Sequence, residues 1–214
     1  MAIDAVIFDM DGVLLDSEPL HLDAINAVLG AEGHHLSTQD NELYLGTTLE
    51  HTWRNLHAKF GLRASLAHYL PIYDATVLRL LGQPLTPNPG VRELIAAFQA
   101  HGLKLGVASG SQRAWIDATL RSLGVADAFP VVVSGDSVRQ GKPEPEIFLR
   151  TAELLGIAPA RCLVIEDAPN GILAAQRAGM RVVALRTHFT RHLDLGTPDF
   201  LIDSLTDFPP AALA

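Results

Sequence analysis

Residues 1–18 read MAIDAVIFDMDGVLLDSE and join a short apolar run to a pair of carboxylates. The run at 5–8 is typical of a buried strand, and Asp9, Asp11 and Gly12 follow it directly. In a parallel α/β sheet, ligands bind beyond the carboxyl ends of the strands. Two carboxylates one residue apart repel each other unless a cation or a proton compensates their charge, and hard oxygen ligands favour Mg²⁺. The stretch therefore predicts an active site with bound Mg²⁺ at the end of the first strand.

Further apolar runs follow along the chain, with helical stretches between them. They lie at 103–108, 131–134, 162–165, 182–185 and 200–202. This alternation predicts an α/β fold with a doubly wound, parallel, Rossmann-like sheet. Proline and glycine mark two of the intervening helices: one is predicted from Pro89 to Gly102, and another from Pro145 to Gly156, with Leu154 on its apolar side.

The connection between the first two strands is too long for one helix. Nearly a hundred residues separate them, whereas a βαβ unit needs about thirty. Three helical segments are predicted there: one with Leu22, Ile25 and Leu29 on its apolar side, one around Leu56, and one at 72–81. We therefore expect an inserted α-helical cap domain at 17–83, a turn-forming return linker at 82–90, and a core made of 1–16 plus 84–214.

Composition restricts the classes of partner. The chain has 214 residues, a formal net charge of −8 and only three lysines, so we expect neither nucleic-acid nor anionic-membrane binding. No apolar run reaches membrane-spanning length, and Met1 leads straight into the first strand without room for a signal peptide. We therefore expect a cytoplasmic protein, either a monomer or a weak dimer. The lone Cys162, within an apolar run, is predicted to be a packing residue.

Three more features at predicted strand ends suit phosphate chemistry. Ser109 and Gly110 follow the second strand, where a hydroxyl and helix N-terminal N–H groups could hold phosphate oxygens. Lys142 lies between turn-forming residues, and Glu166 and Asp167 follow the fourth strand. Taken singly, each has an ordinary structural explanation: an N-cap turn, a solvated surface lysine, and an acidic helix start.

In chain order, the Asp pair and these features resemble the four motifs of the haloacid dehalogenase superfamily. Three stretches carry the resemblance: DMDGVLLDSEPLH at 9–21, GKPEPEIF at 141–148 and IEDAPNGILAA at 165–175. They are most similar to the branch with a helical cap inserted after the first motif. That branch includes β-phosphoglucomutase-like enzymes and sugar-phosphate phosphatases.

The resemblance implies a catalytic role for each motif. Asp9 would be the nucleophile that forms an aspartyl-phosphate, and Asp11 the general acid and base. Ser109, Gly110 and Lys142 would bind the phosphoryl oxygens, so that Mg²⁺ and Lys142 neutralise charge that an acidic protein otherwise repels.

It also implies a metal shell and contacts from the cap. The implied Mg²⁺ ligands are Asp9, Asp11 through its backbone carbonyl, Asp167, and Glu166 either directly or through water. His21 and the loop with Gly46 and Thr47 are at positions that face substrate in the branch. His21 could equally be a helix-surface residue, and Gly46 a simple turn.

The leading hypothesis is a Mg²⁺-dependent phosphohydrolase of a small phosphorylated metabolite, such as a sugar or polyol phosphate. Asp11 argues against the dehalogenases and phosphonate hydrolases of the superfamily, which lack a carboxylate at this position. The first alternative is a phosphosugar mutase, which is disfavoured because no Arg or Lys lies at 47–52 or 66–78 to grip a second phosphate. The second alternative is a non-catalytic module that binds a phosphate ligand.

Overall fold

The structure, a computed structural model, describes residues 2–44 and 48–214. Within them, six strands form one parallel sheet in the order β3-β2-β1-β4-β5-β6. The strands are β1 (Ala5–Phe8), β2 (Lys104–Ser109), β3 (Val131–Ser134), β4 (Cys162–Glu166), β5 (Arg181–Leu185) and β6 (Phe200–Ile202). Every side chain of β1 is apolar and buried, which is the pattern of a strand covered on both faces. The predicted α/β class with a doubly wound parallel sheet is confirmed.

The same described residues contain eight α-helices, and none of them is long and apolar enough to cross a membrane. They are α1 (Glu18–Gly30), α2 (Thr38–Asn41), α3 (Leu49–Phe60), α4 (Leu66–Leu81), α5 (Val91–Ala100), α6 (Arg113–Leu123), α7 (Glu146–Leu155) and α8 (Pro169–Arg177). On one face of the sheet, Ile7 packs in a cluster with Phe148 of α7 and Ile172 of α8. On the other, Phe8 meets Phe98 of α5 with ring centroids 6.0 Å apart. Burying each such side chain contributes about 1.5–3 kcal/mol.

Proline and glycine define α7 as predicted, but one apolar position was misassigned. The helix follows Pro145 and ends at Leu155, just before Gly156, whose φ of +67° is a left-handed conformation that suits glycine. Leu154, predicted to face the core, is 56% exposed, because the buried side is completed by Thr151 and Ala152 instead.

Helix α4 corrects a second prediction. The segment expected at 72–81 begins six residues earlier, and Pro71 lies inside the helix. A proline there removes one backbone hydrogen bond. Tyr69 and Tyr73 lie on opposite sides of Pro71 in the sequence and are both buried, so the packing of the helix outweighs the local cost of the proline.

The chain divides into two compact units. The first unit contains the whole sheet and consists of Met1–Asp16 and Leu85–Ala214. Ser17–Pro84 make up the second, in which α1 packs along α4. Among its described residues, the second unit contains helices and no strand, and it has its own buried residues, among them Trp53, Leu56 and Val77.

Candidate active site

The candidate site lies where the central strands of the sheet end. Strand β1 pairs with both β2 and β4, and Asp9, just past β1, donates its backbone N–H to the carbonyl oxygen of Ile165 in β4. Ser109 is the last residue of β2, and Glu166 is the last residue of β4. Because all three strands run in parallel, their polar terminal residues collect at one edge of the sheet.

Lys142 bridges two of these carboxylates. Its Nζ donates to Asp9 Oδ1 at 2.5 Å and to Glu166 Oε1 at 2.7 Å. The side chain of Lys142 is 13% exposed, and that of Glu166 is 1% exposed. The other oxygen of Glu166 accepts a hydrogen bond of 2.7 Å from the backbone N–H of Ala168. Lys142 is therefore a nearly buried ion-pair partner rather than a solvated surface lysine.

Burial sets the electrostatics of this cluster. It raises the pKa of Asp9 to about 8, with added repulsion from Glu166 and Asp11 and opposition from Lys142. It also raises the pKa of Asp167 to about 9, again with repulsion from Glu166 and Asp9. Burial alone would lower the pKa of Lys142, but the two carboxylates in contact with it raise that pKa above its ordinary value. Burial and mutual repulsion therefore oppose ionisation of Asp9 and Asp167, and a bound cation would favour their charged forms.

The backbone of Gly12 packs directly against the carboxylate of Asp167. Gly12 has a φ of +80°, and a Cβ on it would lie 2.2 Å from Asp167 Oδ2, which is too close for any side chain. Gly171 plays a similar part for Glu166, because a Cβ there would lie 1.6 Å from Glu166 Oε1. Both carboxylates are thus packed directly against backbone.

The side chains at this site supply only some of the oxygen ligands that a bound Mg²⁺ needs. Within residues 2–44 and 48–214, no three or more His, Cys, Asp or Glu side chains are arranged as a complete metal site. Asp9 and Asp167 supply hard carboxylate oxygens, and both oxygens of Glu166 already have partners. A cation here would complete its shell with backbone carbonyl oxygens and water, as Mg²⁺ commonly does.

The loop after β2 contacts Asp11 through two hydroxyls. Ser111 Oγ donates to Asp11 Oδ2 at 2.7 Å, and Ser109 Oγ lies 3.4 Å from the same oxygen. Ser111 also donates its backbone N–H to Ser109 Oγ at 3.1 Å. The Ser111 contact was missed from the sequence, where the only available signal was a second hydroxyl two residues after Ser109.

The end of β3 supports this same loop. Gly135 donates its backbone N–H to the Ser111 carbonyl at 3.0 Å. A Cβ on Gly135 would lie 2.1 Å from the carbonyl oxygen of Gly110, so only glycine allows this approach. Asp136 accepts a hydrogen bond of 3.1 Å from the backbone N–H of Arg113, the first residue of α6.

Asn88 is another residue that the sequence did not reveal. Its Nδ2 donates to the carbonyl oxygens of Gly12 at 2.8 Å and Val13 at 2.9 Å. Its own N–H donates to the Leu14 carbonyl at 3.0 Å. Asn88 therefore holds the turn that follows Asp11, although it lies more than seventy residues away in the sequence.

The predicted site residues thus separate into two groups. The unit that contains the sheet includes seven of them: Asp9, Asp11, Ser109, Gly110, Lys142, Glu166 and Asp167. His21 lies on α1 of the helical unit, where its Nδ1 is 2.8 Å from the hydroxyl of Tyr73. Gly46 and Thr47 lie outside the described residues.

Comparison with known proteins identifies the family. A family model for haloacid dehalogenase-like hydrolases matches residues 3–179. Protein CbbY of Rhodobacter capsulatus is 35% identical over 217 residues, covering 96% of this chain and 95% of that protein. Fructose-1-phosphate phosphatase YqaB of Escherichia coli (strain K12) is 36% identical over 185 residues, covering 85% of this chain and 95% of that protein. The crystal structure of CbbY from Rhodobacter sphaeroides in complex with phosphate matches with a TM-score of 0.86 and 28% identity, covering 99% of each chain.

The chain therefore belongs to the haloacid dehalogenase-like hydrolases, as its motifs predicted. Within that family it is an enzyme of the phosphatase type.

Proposed function

We propose that this protein hydrolyses a small phosphorylated sugar or polyol through an aspartyl-phosphate, with Mg²⁺ as cofactor. The observation that carries the proposal is the ion-pair cluster in which Lys142 joins Asp9 and Glu166 at 2.5 and 2.7 Å. The cluster combines a carboxylate and a cation, and the serine hydroxyls at the end of β2 lie at the same edge of the sheet. This combination suits a phosphoryl group. The substrate class is supported by the relative named as a fructose-1-phosphate phosphatase.

In the first half-reaction, Asp9 attacks the phosphorus. A bond forms between a carboxylate oxygen of Asp9 and phosphorus, while the bond from phosphorus to the sugar oxygen breaks. Asp11 gives its proton to that leaving oxygen. Lys142 and Ser109 stabilise the negative charge on the phosphoryl oxygens, and Glu166 holds Lys142 in place from its other side.

In the second half-reaction, Asp11 acts as a base. It takes a proton from water, whose oxygen attacks the phosphorus of the aspartyl-phosphate, and the bond to Asp9 breaks to release inorganic phosphate. Mg²⁺, held by Asp9, Asp167 and the Asp11 carbonyl, with Glu166 reached through water, would supply further charge neutralisation. We assign the helical unit, with His21 and the Gly46 and Thr47 loop, as the cap that selects the substrate.

The function is tested by a screen of sugar and polyol monophosphates with Mg²⁺ in which released phosphate is measured. We expect phosphate to accumulate in proportion to substrate loss. If β-glucose 1-phosphate is converted to glucose 6-phosphate faster than phosphate is released, the protein is a phosphosugar mutase and the hydrolase hypothesis is wrong. Binding of phosphate ligands without any turnover would favour the non-catalytic alternative.

Removal of the metal is expected to abolish hydrolysis. Without a metal ion, burial and repulsion from Glu166 and Asp11 oppose ionisation of the Asp9 nucleophile, and the acidic site repels the anionic substrate. We expect at least about a 10²-fold loss of phosphate release in excess EDTA, with recovery when Mg²⁺ is added beyond the chelator. Full activity in EDTA would contradict the metal assignment.

Gly12→Ala is expected to weaken metal binding by displacing Asp167. The matched control is Gly33→Ala, because Gly33 has the same φ of +80° but has no atom within 4 Å of its Cβ position. Both variants should lose about 1–2 kcal/mol of stability from backbone strain. Only Gly12→Ala should raise the Mg²⁺ concentration for half-maximal activity, by about 10-fold or more. Equal Mg²⁺ dependence in the two variants would rule out the proposed contact.

A further inference from the structure

The loop that carries Lys142 is tied to α7 by one carboxylate. Glu146, the first residue of α7, accepts hydrogen bonds from two backbone N–H groups of this loop. The nitrogen of Arg139 lies 3.0 Å from Glu146 Oε1 and 3.1 Å from Oε2, and the nitrogen of Gln140 lies 3.0 Å from Oε2. Hydrogen bonds to a charged acceptor are stronger than neutral ones, so Glu146 fixes the backbone directly before Lys142.

A turn and a second helix hold the other side of Lys142. Glu144 donates its backbone N–H to the Gly141 carbonyl at 3.0 Å, which closes a turn around the lysine. Arg177, the last residue of α8, donates from Nη1 to the Pro143 carbonyl at 3.1 Å and to Glu144 Oε1 at 2.9 Å. Side chains from two helices therefore hold the backbone on both sides of this lysine.

The far end of the Lys142 side chain has its own neighbours. Its Nζ donates to Asp9 and Glu166 and lies 5.0 Å from the centroid of the fully buried Phe148 ring. In the proposed reaction, Asp9 is consumed in the aspartyl-phosphate and no longer holds the ammonium as a free carboxylate. Because the stem of a lysine is long and flexible, the position of the ammonium then depends more strongly on the backbone from which the side chain starts.

We propose that Glu146 is a positioning residue for Lys142, an inference that rests on the proposed phosphatase function. By holding the N–H groups of Arg139 and Gln140, Glu146 sets the place from which the ammonium meets the phosphoryl oxygens. It acts through the loop and not by contact with the substrate. A displacement of about 1 Å in a catalytic group can cost about 10²-fold in rate, so this support matters for catalysis.

Amine labelling tests the effect on Lys142 without any substrate. Limiting acetic anhydride modifies accessible lysines, and mass spectrometry of the peptides measures the extent at each one. In the wild-type protein Lys142 should react slowly, because its Nζ is nearly buried and donates to two carboxylates, whereas the exposed Lys104 serves as the internal reference. Glu146→Ala should raise the ratio of Lys142 to Lys104 labelling by about 5-fold or more, as expected for the loss of one net hydrogen bond.

Glu153→Ala is the matched control for this substitution. Glu153 is an exposed glutamate about two turns farther along α7, so its replacement removes the same charge from the same helix. It should change neither the labelling ratio nor the activity. Equal labelling ratios in Glu146→Ala and Glu153→Ala would overturn the inference, and this includes the case in which Lys104 and Lys142 both become more reactive.

Kinetics show whether the position of Lys142 matters for catalysis. With a sugar monophosphate that the wild-type protein hydrolyses, Glu146→Ala should lower kcat/KM by about 10-fold or more. In a Lys142→Met background, Glu146→Ala should have no further effect on kcat/KM, because its effect acts through the lysine. A further loss in that background would show that Glu146 only supports the fold, and unchanged kcat/KM in Glu146→Ala itself would also overturn the inference.

Glu146→Gln provides the same test if Glu146→Ala does not fold. The amide keeps one oxygen that can accept from the loop but has no charge, so the labelling ratio should rise less, by about 2-fold or more. A ratio equal to that of Glu153→Ala would again overturn the role of Glu146. If no sugar or polyol monophosphate is hydrolysed, the proposed function fails, while the labelling ratio still decides whether Glu146 positions Lys142.

Discussion

Asp9→Asn is expected to lower turnover by at least about 10³-fold while leaving the fold intact. Removing a covalent nucleophile eliminates a reaction path rather than weakening a contact. Stability should hold, because an asparagine oxygen can still accept the hydrogen bond of Lys142. Phosphate release and thermal unfolding, measured on the same preparation, separate the two effects.

Two companion variants make this prediction specific. Asp4 precedes β1 as Asp9 follows it, and its carboxylate pairs with Arg161 away from the site. Asp4→Asn should therefore keep nearly full activity. Asp11→Asn should also be severely impaired, but through slow breakdown of the intermediate, so intact-mass measurement should detect phosphorylated Asp9. Turnover near the wild-type rate in Asp9→Asn would contradict the assignment of the nucleophile.

The sequence predicted which residues would meet at the sheet edge because that information is local. An apolar run followed by a polar residue, as at Phe8 and Asp9, defines both a buried strand and its end. Once the strands are parallel, polar residues past neighbouring strands must lie together. The strand predicted at 103–108 differs from β2 by only one residue at each end.

What the sequence could not predict depends on contacts between distant segments. Lys142 reaches Asp9 across 133 residues, and Ser111 reaches Asp11 across 100. Such pairs depend on the path of the loops and on side-chain rotamers, neither of which leaves a periodic signal. Glycine presents the same difficulty: the sequence shows Gly12, but only the fold shows that Asp167 occupies the space of its missing Cβ.

Lys142→Met is expected to lower both stability and activity strongly. Methionine nearly preserves the length of the side chain but leaves the buried carboxylates of Asp9 and Glu166 without their cation. Removing one partner of a buried ion pair costs about 3–5 kcal/mol. Loss of the cation that faces the phosphoryl oxygens should lower kcat/KM by at least about 10²-fold. Chemical denaturation in excess EDTA measures the first effect without a metal ion substituting for the lysine.

Neutralising Glu166 separates the two roles of this lysine. Because the cost in Lys142→Met comes from uncompensated charge, adding Glu166→Gln should restore part of the lost stability, with the amide oxygen still able to accept from the N–H of Ala168. Activity should remain lost, since no cation then faces the phosphoryl group. Lys104→Met is the matched control: Lys104 is an exposed lysine that donates to the Leu155 carbonyl, so losing its charge should change neither property by much. A double variant as unstable as Lys142→Met would show that packing around the lysine stem, and not the buried charges, holds this site together.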